Sequence, residues 1–179
     1  MVVKVFCIGM FKTGTTSMGR ALELLGYQTQ FGPWWPKNIM IADPWYEHPE
    51  EWPKYYPVIK KQVELHDAFQ DYPWMFLYRP LTNWYPDAKF ILLQRDPDGV
   101  ADSEIKMWRR NNVPERDIPD AQAFKDRYLK HREDVLSYFS SSKNLLDVSV
   151  KDPQIWQKLC TFLGKKVPTT QFPHLNKAK

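Results

Sequence analysis

Val2-Val3-Lys4-Val5-Phe6-Cys7-Ile8-Gly9-Met10-Phe11-Lys12-Thr13-Gly14-Thr15-Thr16-Ser17 is the stretch on which the fold turns. Residues 2–8 are β-branched, aromatic and almost continuously apolar. That is the pattern of a strand buried on both faces, hence a central one in a parallel sheet. After the turn, Met18, Ala21, Leu22 and Leu25 recur at helical spacing until Gly26 supplies a stop. A strand, a loop and a helix in this order put the loop where unpaired N–H groups and the positive end of the helix dipole create an anion site. The glycine spacing equals that of the nucleotide-triphosphate loop G-x-x-x-x-G-K-[ST], yet Thr15 stands at the lysine position and the lysine is Lys12. A lysine inside the turn can reach the bridging oxygen of a bound phospho-group, while Thr15, Thr16 and Ser17 add hydroxyl donors. The competing reading is an ordinary strand-to-helix turn with threonine caps, but a cap needs one hydroxyl and this loop carries several plus a cation.

Outward from the loop, strands and helices alternate. Lys89 to Gln94, entered through the turn Pro86-Asp87-Ala88, is a second buried strand with Arg95 and Asp96 at its carboxyl end, and Leu145 to Val148 is a third. Tyr27 to Gln30 and Val63 to Ala68 are read as short strands. Helices are expected from Tyr72-Pro73 to Trp84, from Pro97 to Arg110, from Ala121 to Tyr138 with Phe124, Tyr128, Val135 and Leu136 facing inward, and from Pro153 to Leu163. Residues 31–57, rich in proline and containing Trp34, Trp35, Trp45 and Trp52, read as an excursion of loops and short helices, and residues 111–119 as a mobile loop. The expectation is an α/β fold of three layers, α/β/α, around a mostly parallel central sheet, with residues 1–179 in one domain.

Bulk properties narrow the partners. The 179 residues suffice to bury about 70% of the unfolded surface. The formal charge of +4 suits an anionic ligand, but without a polybasic arm no nucleic-acid partner is expected. No run approaches the roughly 18 apolar residues of a membrane span. Cys7 and Cys160, the two cysteines, fall in a strand and a helix and read as buried thiols, which makes a cytoplasmic location the expectation. His48, His66, His131 and His174 show no paired ligand spacing, so no metal site is expected.

Arg95 ends a buried strand and Ser103 follows eight residues later in the next helix. With the loop from Lys12 to Ser17, this pair makes the sequence resemble the sulfotransferase superfamily. Further matches are Asp67, Asp71 and Pro73, then Tyr85 to Leu92, then Arg95 to Pro97, with Leu146-Asp147-Val148, Leu159 to Gly164 and Phe172 to Asn176 near the end. The resemblance implies a P-loop-nucleotide-hydrolase-like fold and a donor, 3′-phosphoadenosine 5′-phosphosulfate, leaving as adenosine 3′,5′-bisphosphate. It implies that Lys12, Thr13, Gly14, Thr15, Thr16 and Ser17 hold the 5′-phosphosulfate and that Arg95 and Ser103 hold the 3′-phosphate. Sulfuryl transfer needs in-line positioning and charge stabilisation, for which Lys12 is the cation. The family places a His or an acidic base after the strand preceding that of Arg95, where this chain offers His66, Asp67 and Asp71. Asp67 is preferred as the first acidic position of the pattern, with Asp71 also read as a helix cap. The acceptor is expected to be a small molecule or glycan bearing a hydroxyl or amine, on the side covered by the tryptophan-rich excursion. Two other functions fit less well. A noncatalytic module would keep only the donor grip, and a nucleotide kinase would need a lysine at position 15. Oligomeric state is not legible.

Overall fold

In the computed structural model, residues 3–32 and 49–175 are described. Val5–Cys7 forms β1, and each of its residues is fully buried, as the unbroken apolar run requires. The remaining strands are β2 (Thr29–Gln30), β3 (Ala68–Gln70), β4 (Lys89–Leu93) and β5 (Leu145–Val148). They form one five-stranded sheet in the order β2-β3-β1-β4-β5. Every pairing is parallel, with Cys7 beside Gln70 on one side and beside Ile91 on the other.

Strand alternation sorts side chains into two cores. Val5 and Cys7 face Met18, Ala21 and Leu22 of α1 (Thr15–Leu24) and Leu159 of α6 (Ile155–Leu163). Phe6 and Ile8 face the opposite layer, which contains Ile59 of α2 (Tyr56–Leu65), Leu81 of α3 (Tyr78–Trp84) and Val135 of α5 (Ala121–Tyr138). Phe6 stacks on Phe69 at 4.8 Å and on Phe90 at 5.6 Å, so aromatic pairs reinforce both inner strand contacts. The remaining helix, α4 (Pro97–Arg110), is capped by Asp96, whose Oδ2 accepts from Gly99 N at 2.8 Å, and packs on α5. The result is the expected α/β/α layering. Among the described residues no helix is long and apolar enough to cross a membrane.

Several expectations need correction. Val63 belongs to α2, because Ile59 and Val63 bury one helical face four residues apart, and the strand starts only at Ala68. The span from Tyr72 to Trp84 is not one helix but a 3-10 turn (Trp74–Phe76) followed by α3. Pro80 accounts for the break, since its ring excludes a continuous helix one turn back while suiting the first turn of a new one. On α5 the buried stripe is Phe124, Tyr128, His131 and Val135, and Leu136, one step round the helix, is exposed. β5 is a half-buried edge strand in which only Val148 is buried. The span at 111–119 includes a 3-10 turn (Glu115–Asp117) tied by an ion pair between Arg109 and Glu115. Cys7 and Cys160 are free and buried.

Of the excursion, Trp34, Trp35 and Trp45, with His48, lie outside the described residues. Trp52 does not cover a cleft: it is 4% exposed, sits in the core with Phe6, and meets Phe76 edge-on at 6.0 Å. Indole burial alone accounts for it.

Candidate active site

The strand order makes the carboxyl end of β1 a switch point. The chain leaves β1 towards β2 on one side and later crosses from β3 to β4 on the other, which opens a crevice above the strand ends. A cavity of about 590 Å³ lies there, lined by segments following β1, β3, β4 and β5, by Ser103 and Met107 of α4, and by His174 and Leu175. At the usual strand spacing its span from β3 to β5 is about 14 Å.

Close packing shapes the loop after β1. A Cβ on Gly9 would stand 2.7 Å from Leu93 Cβ, so only glycine lets the loop leave β1 this close to β4. Gly14 has φ 105° and caps α1, and a Cβ there would also stand 2.8 Å from Val150 Cγ2. α1 has neither a side-chain cap nor an acidic residue in its first turn, which leaves its leading amides and dipole directed at the cavity.

Lys12 is itself left-handed, with φ 64°. Its half-buried side chain lines the cavity, and among the described residues no ion pair or hydrogen bond engages the ammonium. Burial holds its pKa below the usual lysine value, Arg110 and Arg95 push the same way, and Glu104 and Asp71 oppose them. A desolvated cation of this kind favours an anionic ligand. Thr13 and Ser17 also hold the local structure together. Thr13 Oγ1 donates to Met10 O at 2.7 Å and closes the turn, and Ser17 Oγ accepts from Leu175 N at 2.9 Å and holds the C-terminal segment. Both line the cavity, as do Thr15 and Thr16.

Arg95 and Ser103 also meet at the cavity. One arm of Arg95 is committed: Nη1 donates to Lys12 O at 2.6 Å. Its backbone is gripped by the buried Tyr128 hydroxyl, which accepts from Arg95 N at 2.9 Å and donates to Arg95 O at 2.8 Å. Behind β1, His131 is buried and its pKa is lowered by that burial. Its ring is therefore neutral at physiological pH, and Nε2 donates to Ile8 O at 2.8 Å.

The three candidate bases separate by their place along β3. Asp67 and His66 precede β3, at the end of the sheet away from Lys12. Lys4 Nζ lies 3.5 Å from Asp67 Oδ1 and donates to His66 O, and Gln28 N donates to Asp67 Oδ2 at 3.4 Å. Neither residue lines the cavity. The geometry expected of Asp67 is thus not met, because a parallel sheet separates residues that flank a strand by the strand's own length. Asp71 follows β3 and lines the cavity together with Lys12. It too is left-handed, with φ 72°, and Oδ1 accepts from Tyr72 N at 2.8 Å rather than capping a longer helix. Burial raises its pKa above the usual carboxylate value, while the Tyr72 N–H and Lys12 pull it back.

Sequence reasoning missed Tyr128 as a site element and missed Ser149, Val150 and Lys151. The last three follow β5, and the rule that ligands gather beyond the carboxyl ends of parallel strands flags that position. Tyr128 carried no local signal beyond its place on the inward face of α5.

Fold and cavity define an α/β protein with an all-parallel five-stranded sheet and a lysine-bearing loop after its first strand. The sulfotransferase-domain family model matches residues 4–114 and 100–179, and the chain belongs to that family. Among solved structures it is similar to the Sulfotransferase Domain from the Curacin Biosynthetic Pathway, with 15% identity, a TM-score of 0.49, and coverage of 95% of this chain and 76% of that one. No curated protein matches it.

Proposed function

We propose that the chain transfers a sulfuryl group from 3′-phosphoadenosine 5′-phosphosulfate to a hydroxyl or amine of a small molecule or glycan, by in-line displacement. One observation carries this reading: Lys12, in the loop after β1, and Asp71, directly after the neighbouring β3, hold left-handed backbones and line the same cavity. Backbone in this region costs about 1–3 kcal/mol per residue and persists at sites where a side chain must be aimed. The family supplies the reaction class, and the residues present fit the donor. The unpaired Lys12 ammonium and the uncapped amides of α1 suit its phosphosulfate, and the remaining donors of Arg95 with the Ser103 hydroxyl suit a second phosphate.

The donor brings an activated sulfuryl group whose S–O bond to phosphate breaks as the acceptor's bond to sulfur forms. Asp71 takes the proton from the attacking hydroxyl or amine, and its raised pKa makes it a stronger base than an exposed aspartate. Lys12 stabilises the charge that collects on the departing phosphate oxygen. Arg95 fixes the Lys12 carbonyl and so holds the loop in place.

Calorimetry with adenosine 3′,5′-bisphosphate, with and without chelator, followed by a labelled-donor assay over phenol, alcohol, amine and glycan acceptors, tests the reading. Binding that survives chelation, together with label transfer, is the expected result. Equal affinity for ATP or a need for magnesium would assign the site to another chemistry, and donor binding without transfer to any acceptor would leave a binding module.

A further inference from the structure

The donor cavity has a chemical end and a far end. Asp71 lies after β3, and at the other side of the sheet the segment after β5 supplies Val150 and Lys151. A second cavity of about 420 Å³ adjoins this far end and shares Val150, Lys151 and His174 with the first. His174 thus stands at the junction of the two. It is exposed, its ring meets the Phe172 ring edge-on at 6.1 Å, and among the described residues no hydrogen bond engages either nitrogen.

The backbone that presents His174 is firmly held. Lys165 N donates to Cys160 O at 2.9 Å as the chain leaves α6. Trp156 Nε1 donates to Thr170 O at 2.8 Å, and the buried Phe172 ring meets Trp156 edge-on at 5.0 Å. Immediately past His174, Leu175 N donates to Ser17 Oγ at 2.9 Å, which pins this segment to the first turn of α1. A polar ring with no hydrogen bond to either nitrogen, carried on a backbone anchored on both sides and lining the same two cavities as Lys151, is placed as a ligand contact rather than as packing.

Resting on the donor reading above, we infer that His174 is a donor-binding residue. Its ring N–H, with Lys151, holds the donor on the side of the cavity away from Asp71. It touches no reacting atom, so it sets donor affinity and leaves the chemical step alone.

The test compares His174→Asn, which keeps an N–H donor, with His174→Phe, which keeps a ring against Phe172 but has no donor. Titration with adenosine 3′,5′-bisphosphate should show affinity about 10-fold weaker in His174→Phe and within about 3-fold of wild type in His174→Asn, the change expected for one hydrogen bond to a charged ligand. In turnover, His174→Phe should raise KM for the donor by a similar factor with kcat unchanged. If His174 only packs, the order reverses: His174→Asn lowers the melting temperature and His174→Phe binds normally. Equal affinity in both variants and wild type removes the role while leaving the sulfotransferase reading intact. Absence of bisphosphate binding in the wild-type protein overturns both.

Discussion

The Arg95 guanidinium donates to the Lys12 carbonyl at 2.6 Å, which joins the segment after β4 to the loop after β1. Lys12 is left-handed, and Arg95 is one of the contacts that hold it so. The two halves of the donor site therefore act together. Replacing Arg95 loosens the loop as well as removing charge from the second phosphate position.

Arg95→Ala should consequently weaken adenosine 3′,5′-bisphosphate by about 2–3 kcal/mol, roughly 30- to 150-fold, for the loss of charge-assisted bonds. From the sequence alone, adenosine 5′-phosphate should barely notice this change. With the carbonyl contact in view, its affinity should also fall, by a smaller factor. Calorimetry with both ligands decides the matter: an effect confined to the bisphosphate would mean that the loop keeps its shape without Arg95.

Asp71→Asn should lower turnover by about 10²-fold or more with donor affinity nearly unchanged, the scale of general-base loss. Asparagine tolerates the left-handed backbone, so the substitution tests basicity and not shape. Asp67→Asn should leave turnover at the wild-type level and lower stability by at most about 1 kcal/mol, since its partner is a part-exposed lysine. Activity lost in Asp67→Asn and kept in Asp71→Asn would reverse the assignment.

pH should act through Asp71 in two ways. Its folded pKa is raised, so the acid limb of kcat should lie above the ordinary carboxylate range and should vanish in Asp71→Asn. For stability the sign follows from the same shift. The folded state binds this proton more tightly than the unfolded chain, so Asp71 favours folding below its unfolded pKa. That contribution is lost as pH rises through the folded pKa. Asp71→Asn should therefore melt higher than wild type at neutral pH, and the difference should shrink on acidification.

Lys12 separates strain from chemistry. Lys12→Ala and Lys12→Gly should both lose donor affinity and turnover, because both remove the cation. Alanine keeps the cost of a Cβ at φ 64°, whereas glycine does not. Thermal melts should place Lys12→Gly above Lys12→Ala by about 1 kcal/mol. Equal stabilities would mean that the loop relaxes once the ammonium is gone.

The order of elements and the donor loop were legible because their signals are local. The buried run Val5 to Ile8, the glycine spacing of the loop and the helical stripe after it each depend on near neighbours in the chain, and β1, the loop and α1 follow. The parallel sheet was legible for the same reason, since strands alternating with helices leave few other arrangements. What required the tertiary structure was the choice among His66, Asp67 and Asp71. These residues are close in sequence, and a three-residue strand (Ala68–Gln70) divides them between opposite ends of the sheet. A Coulomb or hydrogen-bond partner at long range leaves no local trace either, so Tyr128 under Arg95 became visible only when separate segments met. Local sequence thus determined the backbone's course and the cationic loop. Which carboxylate faces that loop was decided by the register of β3 against β1, a relation between residues more than sixty positions apart.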